Sequence, residues 1–163
     1  MKKQVSLPMS ELSPVIEQCI ENGSEVIINI TGNSMRPFLK DRRDQVVLIK
    51  PEAEMLKKLD VPLYRRKNGK YVLHRIFKCG EKSYTMLGDA QVTLEPDIEP
   101  EQIIALSKAF IRKGKRIECN SFIYKSYSYL WYLAYPLRKF YFFSRRTGGK
   151  ILRALNLRKQ GKA

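Results

Sequence analysis

The sequence predicts a mainly β domain, a coiled sheet or small barrel, carrying an N-terminal helix and a C-terminal amphipathic helical tail. Three observations predict it. Short β-branched runs such as 25–31 (EVIINIT) and 45–49 (QVVLI) recur between turn signals. Asn68-Gly69 stands between two extended runs, the strongest short-range hairpin signal. After residue 120 the acidic residues stop and the aromatic residues crowd together.

In chain order, 7–22 reads as a short amphipathic helix, because Leu12, Val15, Ile16, Cys19 and Ile20 recur at helical spacing and Asn22-Gly23 would end it. Strands follow at 25–31 and 45–49, the second closed by Pro51, and 52–59 is a helical turn or a loop. From residue 61 the strand expectations are 62–66, 70–78, 82–87, 103–112 and 116–119, with an acidic, proline-bearing loop filling 88–100. The 163 residues fit one domain with a proper core over 1–119 plus an appendage over 120–163.

Charge divides the chain the same way. Residues 1–119 hold 21 basic and all 16 acidic residues, whereas 120–163 hold 10 basic and none acidic. Cys19, Cys79 and Cys119 lie far apart with no CxxC pair, which argues against a disulfide framework and a zinc site. The start, MKKQVSLPMSEL, lacks an apolar run and so reads as neither a secretory signal nor an anchor.

Three short stretches carry chemistry. TGNSMRPFL, at 31–39, ends a strand in a Gly-Asn turn and delivers Ser34 on a backbone made tight by Gly32 and stiff by Pro37. YVLHRIF, at 71–77, holds the only histidine, His74, in an apolar run. LGDA, at 87–90, places Asp89 after a glycine, where a hairpin of 70–78 with 82–87 would bring it near His74. Together they have the logic of an activated nucleophile: a base takes the serine proton, and a carboxylate fixes the base in tautomer and orientation.

GNSMRPFLKDRRDQVVL resembles the nucleophile box of the signal peptidase I and LexA-like serine peptidase superfamily. YVLHRI resembles its general-base box in the version with histidine in place of lysine, and LGDA resembles its Gly-Asp box. The resemblance spans 27–110 and implies Ser34 as nucleophile, His74 as general base and Asp89 as carboxylate partner, with Gly32, Asn33, Met35 and Pro37 around the bound peptide. It also implies a signal-peptidase-like β fold and cleavage of a peptide bond without metal or cofactor. The departures are Ala90 where asparagine is usual, Glu95 and Asp97 as rival orienters of His74, Gly32 where some relatives supply an oxyanion hydroxyl, and Arg42-Arg43 before Asp44. Lys70 and Lys78 flank His74 at roughly 13 Å along a strand, too far to replace it as base.

Residues 121–143 contain 11 of the chain's 17 aromatic residues. Ile123, Tyr127, Leu130, Ala134 and Leu137 recur at helical spacing, interrupted near Pro136, and a second amphipathic run covers 150–158. The basic residues within it spoil a spanning helix. An interfacial helix on an anionic membrane surface, through residues 121–159, fits better; packing on the body or an oligomer contact is the rival, and no nucleic-acid-binding module is visible.

The sequence therefore points to a serine endopeptidase maturing a precursor peptide or protein, in the cytoplasm or peripherally on the cytoplasmic face of the membrane. The alternatives are a LexA-like self-cleaving regulator, against which no helix-turn-helix pattern or upstream cleavage site is visible, and a catalytically silent relative that binds a partner.

Overall fold

A computed structural model describes residues 9–51 and 56–144. The expectations for 52–55 and for the second amphipathic run at 150–158 lie outside the described residues. Helix α1 (Met9–Glu21) buries Ile16 and Ile20. Strands β1 (Val26–Asn29), β2 (Gln45–Ile49), β3 (Pro62–Arg65) and β4 (Tyr71–Leu73) belong to a six-stranded sheet ordered β1-β2-β8-β3-β4. Its centre is the long strand β8 (Ile103–Arg112), which also pairs with β9 (Lys115–Glu118). A second, three-stranded sheet runs β5 (Arg75–Cys79), β6 (Tyr84–Leu87), β7 (Glu95–Ile98). The whole is mainly β, with a sheet curled as a half barrel.

The curl follows from interrupted registers. Pairing of β8 shifts at Val47/Leu48 on one side and at Leu63/Tyr64 on the other, and such bulges bend and twist a strand locally. In the main apolar core Met35, Phe38, Leu39, Val46, Leu48, Leu63, Ala105 and Phe110 join Ile16 and Ile20 of α1. A second cluster, Tyr64, Ile76, Tyr84, Met86 and Ile98, fills the space under the smaller sheet.

Two strand expectations are corrected. The run 70–78 is not one strand: it breaks at His74, where the chain leaves the pairing β3·β4 and enters β5·β6. The sequence alternates smoothly through the break, so periodicity alone does not reveal it. The loop expected over 88–100 contains β7, whose Glu95 and Ile98 pair with Met86 and Tyr84. Its proline and its acidic residues are poor strand formers, and pairing to β6 overrides that local preference.

The C-terminal segment is helical as expected. Helix α2 (Phe122–Leu133) is capped by the Ser121 hydroxyl, which accepts from the Tyr124 N–H, and the helical path resumes over 135–144. Hydrogen bonds from Ala134 N to Leu130 O (2.9 Å) and from Arg138 N to Ala134 O (3.0 Å) carry it past Pro136. Its inward face differs from the expected stripe: Tyr124, Tyr127, Ser128 and Trp131 turn to the body, whereas Ile123, Leu130 and Leu137 point outward. Three of the four inward residues find polar partners there: the Tyr124 and Ser128 hydroxyls accept from Arg75 and the Trp131 indole donates to Asp89 O, while Tyr127 stacks on Phe38. Among the described residues, no helix is long and apolar enough to cross a membrane.

Candidate active site

Ser34 sits in the turn after β1. Gly32 has φ +87°, a left-handed conformation that favours glycine, and its N–H donates to Asp41 Oδ1 at 2.7 Å. Behind the turn, the fully buried Asp44 carboxylate accepts from Lys40 N and from the Arg43 guanidinium at 2.7 and 2.6 Å. Burial alone would raise the Asp44 pKa, but these hydrogen bonds outweigh it and hold it low. Arg43, the arginine before Asp44, is thus the partner of a buried charge.

Ser34, Gly32 and Met35 line a cleft of about 260 Å³, together with residues of β1 and β4, His74 and Gln91. Asn33 and Pro37, expected to touch substrate, are exposed and do not line it. His74 is 1% exposed. Its Nδ1 lies 3.2 Å from the Tyr64 hydroxyl, which donates to Glu95 Oε2 at 2.7 Å; Arg66 in turn grips Glu95 with Nε at 2.6 Å from Oε1 and with Nη2 on Oε2.

This chain of partners determines the tautomer. Burial would raise Glu95, but the hydrogen bonds from Arg66 and Tyr64 prevail and hold it below the usual carboxylate range, so it is ionised and only accepts. Burial, followed by the Glu95 charge, pushes the Tyr64 phenol far up, so it keeps its proton and gives it to Glu95. The Tyr64 oxygen therefore accepts from Nδ1–H, and Nε2 is left with its lone pair. Burial lowers the His74 pKa to about 4; Glu95 opposes the shift and Arg66 adds to it. At neutral pH the ring is an uncharged base with Nε2 as its basic atom.

The stretch 87–90 packs against the serine loop and His74. A Cβ on Gly88 would lie 2.8 Å from the Ser34 carbonyl oxygen and 3.0 Å from both His74 Nε2 and Gln91 Oε1, so only glycine lets imidazole and serine loop close on this point. Ala90 N donates to that same Ser34 carbonyl at 2.8 Å. No hydrogen bond joins Ser34 Oγ to His74; hydrogen bonds of this kind are often long before substrate binds. Among the described residues nothing takes the Ser34 backbone N–H, which leaves it free to face an oxyanion.

The expected trio is not assembled as one unit. Ser34 and His74 share the cleft, but the Asp89 carboxylate is held by Arg75, with Nε and Nη2 each 3.0 Å from an oxygen. The carboxylate that approaches His74 Nδ1 is Glu95, at 3.7 Å. Asp97, the other rival, contributes to neither arrangement. Tyr64, Arg66, Arg75 and Gln91 escape sequence reasoning, because Tyr64 and Glu95 are 31 residues apart and meet only through the crossing of the two sheets. Lys70 and Lys78 are exposed, outside the cleft lining. Among the described residues no three His, Cys, Asp or Glu side chains converge as a metal set would.

No family model matches the chain, and neither a curated protein nor a solved structure does.

Proposed function

We propose that this chain is a serine endopeptidase of the signal-peptidase-like type, cleaving a precursor peptide or protein in the cytoplasm or on the cytoplasmic face of a membrane. The observation that carries the reading is the meeting at Gly88 of a neutral histidine, with Nε2 unprotonated, and the Ser34 loop, at the wall of a cleft. In the proposed reaction Nε2 takes the Ser34 hydroxyl proton as Oγ attacks the peptide carbonyl carbon. The Ser34 N–H faces the oxyanion, and the imidazolium returns its proton to the amine as the C–N bond breaks. Water then hydrolyses the ester, with His74 again taking a proton. Glu95, through Tyr64, steadies the imidazolium while it exists.

The open Ser34–His74 pair favours a second reading, a silent relative that binds its peptide in the same cleft. Incubating the full chain with a mixed-sequence peptide library, with products read by mass spectrometry, separates the two. The peptidase reading expects discrete cleavage that Ser34→Ala and His74→Ala each abolish. No cleavage by the unaltered chain, or undiminished cleavage by either variant, would overturn it.

A further inference from the structure

The helical arm 122–144 has two faces, and the cleft chemistry uses neither directly. The inward face is bonded to the body: Trp131 Nε1 and Arg138 Nη1 both donate to Asp89 O, at 3.0 and 2.6 Å, and the Tyr135 hydroxyl donates to Val92 O at 3.0 Å. The outward face is apolar. Phe122, Ile123, Leu130, Leu133, Leu137 and Phe140 are each at least half exposed. At about 100° per residue they share one arc of about 100° running the length of the arm. A contiguous apolar stripe of this extent is uncommon on a soluble surface and marks a site that something covers.

The charge says what covers it. Lys125 borders the arc and Lys139 lies beyond it on the same side, both exposed. The sequence from 120 onward carries ten basic residues and no acidic one. Two copies of the chain packed face to face would bring two such segments together, with like charges repelling. An anionic lipid surface offers both missing complements at once: acyl chains for the stripe and headgroups for the lysines.

We propose that the outward face of residues 122–144 is a docking surface for an anionic lipid bilayer, with the arm lying in the headgroup plane. The docking is independent of the peptidase reading, since binding to lipid requires no cleavage. Because the inward face holds the Asp89 and Val92 carbonyls, docking would set the orientation of the cleft relative to the bilayer.

The test floats the full chain with vesicles of phosphatidylcholine alone and of phosphatidylcholine mixed with phosphatidylglycerol. The expected result is flotation with the anionic vesicles that weakens with added salt, and little with the neutral ones. Leu130→Glu/Leu137→Glu alters only exposed side chains and should lower anionic-vesicle affinity about tenfold or more while circular dichroism stays unchanged. If that double variant fails to fold, Leu133→Ser serves in its place. Absence of flotation with anionic vesicles overturns the proposal. So does equal flotation by the variant, which would assign binding to basic charge alone. A chain that sediments as a dimer and becomes a monomer in the variant, with no vesicle binding, assigns the face to a second copy instead.

Discussion

At the scale of single residues, the site turns on the proton of Tyr64. That phenol has one proton and two polar neighbours, the ionised Glu95 and His74 Nδ1, and giving the proton to Glu95 forces Nδ1–H on the imidazole. Tyr64→Phe removes the acceptor and keeps the volume. We expect a mixture of tautomers in imidazole ¹⁵N spectra and a fall in kcat on the order of 10²-fold or more; a pure Nδ1–H tautomer in the variant would refute the relay. The pH profile reports the same group. His74 is neutral above its pKa and loses its base function on protonation, so kcat/KM should fall as pH drops through about 4, the value imposed chiefly by burial. An unburied histidine would lose activity already near pH 6.5. An acid limb that stays there would mean that burial does not hold the His74 pKa down, whereas no acid limb at all would mean His74 is not the base.

At the scale of elements, the Gly88–Ala90 segment after β6 is the piece that brings the Ser34 loop and His74 together. Gly88→Ala puts a methyl 2.8 Å from the Ser34 carbonyl oxygen, a main-chain atom with little room to yield because Ala90 N holds it. Cleavage should fall by about an order of magnitude or more, in keeping with the sensitivity of catalysis to displacements near 1 Å, and stability by about 1–3 kcal/mol. Wild-type kinetics in this variant would show that the close approach is not needed. Much of this was legible in the sequence. β2 and β8 fall where β-branched runs predict, and Ser34 and His74, picked out from short stretches, line one cleft; in LGDA the sequence singles out Asp89, whereas Gly88 is the residue that meets the serine loop. What escaped depends on pairing between distant segments. β7 is a strand because β6 lies beside it, 70–78 breaks where two sheets compete for it, and α2 turns inward the face whose Tyr124 and Ser128 hydroxyls and Trp131 indole find partners.

At the scale of the whole molecule, the Arg75–Asp89 pair is where the smaller sheet, the loop behind the cleft and the arm meet. Arg75 and Asp89 are 4% and 2% exposed. Besides Asp89, the guanidinium donates to the Tyr124 hydroxyl (3.1 Å) and Ser128 Oγ (2.8 Å) of α2 and to Leu59 O (3.2 Å). Removing one member of a buried pair strands the other's charge, which costs about 3–5 kcal/mol, a large part of the stability of an ordinary domain. Asp89→Ala should therefore shift chemical denaturation by about that amount. Arg75→Met/Asp89→Leu, which removes both charges and restores apolar volume, should cost less than the single change. This comparison separates the two roles open to Asp89. A carboxylate whose task is to steady His74 would, when changed, cost activity and leave the unfolding midpoint in place. One that clamps Arg75 costs stability first, and its loss reaches the cleft through the loop whose Gly88 and Ala90 touch the serine. The 3.0 Å contacts to Arg75 favour the second outcome, and an unshifted midpoint in Asp89→Ala with cleavage abolished would return Asp89 to the catalytic machinery.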